Sequence, residues 1–291
     1  MRHAAMPPSA VSRLDPLAMT DPANSLPSAG ASGPQMARSL TAPQQASPRG
    51  AAEPSEPLTA WYRHADAMRS RSVGAAVLAG HVMVPAPPAR LLADWARDIA
   101  DRLVLQPGDV ESLSLPRARV RWPGYGQCVG ALAEWLAQRG LPDVLQGCDV
   151  ALMACRGARY HHDGALYAGS AFCNLFLSED RGLDVHFPGT GQRIPLVRGT
   201  VLLFDTGQRH AVIDRTQTGF DPADFPPDSD REQVFLTWEL PIDQPEVARA
   251  LGVRFEVLPA GPSAPGEEGV WCNGVEAEVC PASGRWLVSS G

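Results

Sequence analysis

Three side chains in this sequence have the types and spacing to hold a divalent metal. His161 and Asp163 lie in RYHHDGALYAG, and His210 lies 47 residues beyond Asp163 in DTGQRHAV. Two neutral imidazoles and one carboxylate on one face of an ion leave the opposite face open, the ligand set of mononuclear Fe(II) oxygenase sites. In an extended strand, alternate side chains share a face, so His161 and Asp163 point together and His162 points away. Two ligands then come from one strand, and His210 supplies the third from a neighbouring one.

Such ligands need rigid elements behind them. Between Asp163 and the end of the motif region the chain reads as short strands with turns: AFCNLFLS (171–178), LDVHFP (183–188), RIPLV (193–197), GTVLLFD (199–205), HAVID (210–214) and REQVFLTWEL (231–240). Short strands at close spacing predict a small antiparallel barrel or jelly roll. Upstream, LTAWYRHADAMRSR (58–71) reads as a short helix and VGAAVLAGHVMVP (73–85) as a strand. PPARLLADWARDIADRL (87–103) has apolar residues at helical spacing behind an N-terminal Pro, and GALAEWLAQRG is a second helix closed by Gly140. Downstream, VWCNGVEAEVC predicts a hairpin about Asn273-Gly274, with GRWLVSS as a further strand.

The expected organisation is therefore four segments. Residues 1–57 hold ten Pro and no aromatic residue, which predicts a disordered Pro/Ala/Ser-rich tail. Residues 58–149 form a helical support region with a leading strand. Residues 150–242 form the jelly-roll core, and 243–291 a C-terminal β extension. The fold class expected is α+β, a double-stranded β-helix with N-terminal supporting helices.

Composition removes several chemistries. The 25 basic residues are all Arg, so Schiff-base and P-loop lysines are excluded, and any carboxylate anchor must be a guanidinium. A net charge of -7 argues against a broad grip on nucleic acid. No apolar run approaches a membrane span, and the N-terminus lacks the apolar core of a secretory signal. None of the six Cys forms a CxxC pair, which argues against a zinc knuckle and for free thiols in a cytoplasmic protein. Cys272 and Cys280 could face each other across the hairpin, but the reduced state is the expectation.

On Tyr160-His161-His162-Asp163, on Gly199–Phe204 leading into His210, and on the final strand opened by Arg231, the chain resembles the Fe(II)- and 2-oxoglutarate-dependent dioxygenases, in particular the prolyl-4-hydroxylase-like branch. The resemblance covers about residues 150–242. It implies that His161, Asp163 and His210 hold Fe(II), that 2-oxoglutarate and O₂ are co-substrates, and that ascorbate could serve as reductant. It implies hydroxylation of an unactivated C–H bond with release of succinate and CO₂. Related halogenases carry Ala or Gly where this chain has Asp163, which argues for hydroxylation.

In the family a basic residue beyond the distal His receives the far carboxylate of 2-oxoglutarate. Arg231 is the expected anchor, 21 residues after His210 across the loop RTQTGFDPADFPPDSD; Arg215 is its rival. The substrate expected is a small metabolite or amino acid. A protein hydroxylase of the prolyl type is one alternative, and a cupin-type or non-catalytic metal-binding jelly roll is another. Arg159 shares the face of His161 and could bind a substrate carboxylate or a surface acid. Tyr160, His162 and His186 are expected to pack, and Asn174, in an apolar strand, needs a partner. The acidic loop 214–232 is a candidate lid, and its charge would favour a substrate bearing an amine.

Overall fold

The computed structural model describes residues 58–288 apart from Val104, Pro227 and 258–265. The expected tail, 1–57, lies outside the described residues. In chain order the elements are β1 (Thr59–His64), β2 (Ala67–Ser72), β3 (Val77–His81), α1 (Ala89–Arg97) continued by a π-helical turn, β4 (Val110–Leu113), α2 (Leu115–Arg121) and α3 (Tyr125–Ala137). Then come β5 (Asp149–Cys155), β6 (Ala158–His161), α4 (Gly164–Tyr167), β7 (Ser170–Phe176), β8 (Leu183–Phe187), β9 (Gln192–Pro195), β10 (Thr200–Asp205) and β11 (His210–Asp214). The chain closes with β12 (Gln233–Pro241), α5 (Pro245–Leu251), β13 (Gly269–Cys272), β14 (Val275–Val279) and β15 (Trp286–Val288).

The architecture is mixed and sheet-rich, with antiparallel strand pairing throughout. A six-stranded sheet runs β3-β10-β7-β12-β5-β4, and a four-stranded sheet runs β6-β11-β8-β9. Strand alternation divides the large sheet's side chains between two cores. One face sends Leu152, Ala154, Cys173, Leu175, Val201, Leu203, Val234, Leu236 and Trp238 against the helices, where Leu91, Trp95, Leu132, Trp135 and Leu136 meet them. The other face sends Phe176, Leu202, Phe204 and Phe235 against Val185, Phe187, Ala211 and Ile213 of the four-stranded sheet. Each buried Val, Leu, Ile or Phe among them contributes roughly 1.5–3 kcal/mol. The two sheets thus face each other across an apolar filling, as expected of a jelly roll.

Two sequence readings need correction. Residues 58–71 are not a helix. They form the β1–β2 hairpin, turning at Ala65 with φ 52°, and Ala60, Trp61 and Tyr62 are all buried. Local apolar spacing lost to long-range pairing, because β1 also pairs with β13. The C-terminal strands extend the β1–β2 hairpin: β15-β14-β13-β1-β2 is one five-stranded sheet joining both ends of the described chain. Likewise β3 and β4, from the helical support region, belong to the large sheet. The hairpin at Asn273-Gly274 forms as expected, and Cys128, Cys148, Cys155, Cys173 and Cys280 are free thiols. No helix among the described residues is long and apolar enough to cross a membrane.

Candidate metal centre

β6 and β11 are direct ladder partners, and His161 faces His210 in that ladder. The strand then stops. Asp163 is not on an extended strand with His161, as the spacing suggested; it stands at the head of the four-residue helix α4. The turn is fixed by backbone bonds. The Asp163 N–H donates to the Thr206 carbonyl at 2.8 Å, and the Gly164 N–H donates to His162 Nδ1 at 3.1 Å. His162 points away from the centre, as alternation required, and its Nε2 donates to the Ala277 carbonyl at 3.0 Å.

The three predicted ligands converge. His161 Nε2 lies 3.7 Å from Asp163 Oδ1, and His210 Nε2 lies 3.6 Å from Asp163 Oδ2. Each residue offers a donor atom within 4.8 Å of the other two. Two donors about 2.1 Å from a shared ion stand about 3.0 Å apart at right angles and about 3.4 Å apart at a tetrahedral angle, so a small inward shift closes this set on an ion.

The tautomers are set as well. His161 Nδ1 is 2.7 Å from the Arg159 carbonyl and His210 Nδ1 is 3.0 Å from the Gln208 carbonyl. A carbonyl only accepts, so each Nδ1 carries the proton and each Nε2 keeps its lone pair toward Asp163. Burial, helped by the neighbouring His161, pushes the His210 pKa down to about 4, so its ring is neutral at pH 7. The residues present therefore fit an Fe(II) ion, with Phe204 and Phe187 packed against the His210 ring at 4.8 and 5.8 Å.

A buried ion pair positions two of these three residues. Arg71 and Asp205 are both fully buried, with Nη1 to Oδ2 at 2.6 Å and Nη2 to Oδ1 at 2.9 Å. Asp205 also accepts from the Gly74 and Gly207 N–H groups at 2.6 and 2.8 Å. This fixes the turn after β10. Thr206 on that turn receives Asp163 N–H, and its hydroxyl donates to the Tyr167 and Ser170 carbonyls. His210 follows four residues later. Sequence reasoning missed Arg71 and Asp205, which lie 134 residues apart with no motif between them.

The expected anchors are placed otherwise. Arg231 precedes β12 and donates through Nη1 to Asp214, at the opposite end of β11 from His210. Four strand residues separate those ends by about 13 Å. The expectation that Arg231 faces the metal as it stands is not met. Arg215 turns outward onto Asp180 and Asp184, with bonds of 2.8–2.9 Å. Arg159 donates to the Pro107 carbonyl at 3.1 Å.

The acidic loop is not a lid on this centre. It leaves from Asp214, the far end of β11, and buries Phe220 and Phe225 as a stacked pair in the inner core. Gly157, at φ +66°, leaves the space that the Phe225 ring fills; a Cβ there would stand 2.5 Å from it. Three of the loop's six acids are held in ion pairs: Asp214 with Arg231, Asp230 with Arg181 and Glu232 with Arg156. Tyr160 and His186 pack as expected, joined by a 2.6 Å hydrogen bond between the phenol oxygen and Nδ1.

No protein-family model matches this chain, and no curated protein does. Among solved structures it is similar to a prolyl-4-hydroxylase from Pseudomonas putida, at 17% identity over 57% of this chain and 92% of that one, with a TM-score of 0.35. A viral collagen prolyl hydroxylase from Paramecium Bursaria Chlorella virus-1 matches at 12% identity over 57% and 94%, TM-score 0.33. EvdO2 from Micromonospora carbonacea var. aurantiaca, in complex with 2-oxoglutarate, matches at 15% identity over 58% and 86%, TM-score 0.32. These similarities are remote, and the reading that follows rests on the chain's own residues.

Proposed function

We propose that this chain is a mononuclear iron oxygenase built on a double-stranded β-helix, with His161, Asp163 and His210 as ligands and 2-oxoglutarate and O₂ as co-substrates. One observation carries the reading. Both imidazoles are pinned through Nδ1–H to backbone carbonyls, leaving two Nε2 lone pairs aimed at one carboxylate. A hydrogen-bonded cluster without a metal would place a proton on one of those contacts; at 3.6 and 3.7 Å neither is a hydrogen bond. When bound, Fe(II) supplies the activation of O₂ that hydroxylates an unactivated C–H bond, with succinate and CO₂ released.

The protein's share of the work is positional. The β6–β11 ladder and the Asp205 turn hold three donors close together, where they would bind the ion. Phe204 and Phe187 exclude water behind His210. Arg231 is the residue we propose for the distal carboxylate of 2-oxoglutarate. Its guanidinium, bound through Nη1 to Asp214 as it stands, would grip a carboxylate with its planar fork once released. It serves only by swinging from Asp214 toward the metal. The substrate class we propose is a small metabolite or amino acid.

Uncoupled turnover tests the reading. With Fe(II) and O₂ the protein should convert 2-oxoglutarate to succinate, and replacing any of the three ligands by Ala should abolish this. Arg231→Ala should raise the KM for 2-oxoglutarate roughly a hundred-fold, the loss of a bidentate charged pair, with Arg215→Ala close to wild type. Iron-dependent turnover that ignores both 2-oxoglutarate and Arg231 would shift the reading to a cupin-type dioxygenase.

A further inference from the structure

β12 carries an unexpected set of side chains on its inner face. Gln233, Phe235, Thr237 and Glu239 alternate toward the four-stranded sheet. Glu239 stands directly across from Asp149 on β5 and from Phe172 on β7. Two like charges facing each other across a ladder, their Cβ atoms about 5 Å apart, are destabilising. Glu239 is half-buried, and no ion pair or side-chain hydrogen bond relieves it among the described residues. Its carboxyl pKa is pushed up by burial and then by Asp149.

The location ties this pair to the metal. Tyr167 lies in the helix that Asp163 begins, and its N–H donates to the Asp163 carbonyl at 2.9 Å. Its ring packs on Phe172 at 5.0 Å, Phe172 packs on Phe204 at 6.2 Å, and Phe204 packs on His210. An independent observation points the same way. Asn174, two residues along β7 on the same face, is 8% exposed, and its Oδ1 has no hydrogen-bond partner. Thr237, directly opposite Asn174, leaves Oγ1 equally unpartnered. Buried polar atoms are rarely left unpaired, and here they lie one row from the acids.

We propose that this wall is the substrate-binding face and that it receives a cationic nitrogen: Glu239, with Asp149 behind it, takes the ammonium charge of a small amine beside the metal. Asn174 Oδ1 and Thr237 Oγ1 accept its remaining N–H groups or those of an adjoining amide. The ring faces of Tyr167 and Phe172 suit a cation as well. The sequence suggested an amine-bearing substrate from the acids of the 214–232 loop. That loop is engaged elsewhere, and the oxygen-lined wall of β7 and β12 takes its place. The amine site rests on the iron reading only in lying beside the metal.

The test uses ligand-observed NMR and calorimetry on the full chain, first without metal and then loaded with Mn(II). The probes are methylammonium, pyrrolidine and benzylamine, each paired with an uncharged counterpart: methanol, tetrahydrofuran and benzyl alcohol. At least one amine should bind tenfold or more tightly than its counterpart in the metal-free protein. Glu239→Gln should erase that preference, and Asp149→Asn, at an exposed position, should reduce it about threefold. Mn(II) should broaden the bound amine's proton signals. The proposal is overturned if no amine is preferred, if both variants keep the preference, or if Mn(II) binds yet leaves the amine unbroadened. If Mn(II) does not bind while the Glu239-dependent preference persists, the iron reading fails and the amine site stands.

Discussion

The two faces of β12 were built under different rules. Toward the helices it presents Val234, Leu236, Trp238 and Leu240, all buried among Leu and Trp side chains. Toward the four-stranded sheet it presents Gln233, Phe235, Thr237 and Glu239, and of these only Phe235 is apolar. Thr237 and Gln233 each hold a buried oxygen with no partner. The same backbone serves both faces, so the difference lies in what each face is for. The outer face maximises burial. The inner face gives up stability at these unpaired atoms, and such local sacrifices concentrate at functional sites.

The largest effect expected is on the inner side. His161→Ala, Asp163→Ala and His210→Ala should each lower iron-dependent turnover by on the order of a thousand-fold or more while far-UV circular dichroism stays native. Next comes the knot that delivers the ligands. Arg71→Met leaves Asp205 buried without its cation and should cost about 3–5 kcal/mol in urea unfolding, with weakened metal retention in the folded fraction. Trp238→Ala, on the outer face, should cost about 3–5 kcal/mol with metal affinity unchanged. A Trp238 variant that loses metal but not stability would erase the distinction between the faces.

Smaller effects sharpen it. His210 in the metal-free protein stays neutral to about pH 4, whereas an unfolded imidazole protonates near 6.5. The unfolded state binds the extra proton in that window, so stability should fall as pH drops from about 6.5 to 4, by about 3 kcal/mol at most, and level off below. His210→Asn should flatten that dependence in melting curves, after allowing for His162 and His186, which burial also shifts down. The smallest effect is the most pointed. Asn174→Leu and Thr237→Val should leave ligand-free stability unchanged or raise it by about 1 kcal/mol, since each removes an unpaired buried polar atom. A loss above about 2 kcal/mol would mean those atoms already have structural partners.

Much of this was legible in the sequence because local rules govern it. The strands from 171 to 240 and the Asn273-Gly274 hairpin follow from alternation and turn chemistry; the types and spacing of His161, Asp163 and His210 singled out that trio, although a helix head and not strand alternation brings Asp163 to the other two. What was illegible depends on distant pairing. The 58–71 segment has apolar residues that fit a helix or a hairpin, and only β13, some 200 residues away, decides between them. Arg71 and Asp205 carry no local pattern. The loop after β11 looked like an acidic lid because charge is visible in sequence and ion pairing is not. Its two Phe residues were the better clue, since stacked aromatics plug cores. Arg231 sits near its expected strand start, but the partner that turns it, Asp214, could not be read from spacing.

The centre itself is tested most directly by anaerobic titration of the purified full chain with Fe(II), followed by 2-oxoglutarate, in wild type and in His210→Ala. The expected result is one Fe(II) per chain and a weak visible charge-transfer band on adding 2-oxoglutarate, both lost in the variant with its melting temperature preserved. If His210→Ala binds Fe(II) and develops the same band as wild type, the metal does not sit on His161, Asp163 and His210.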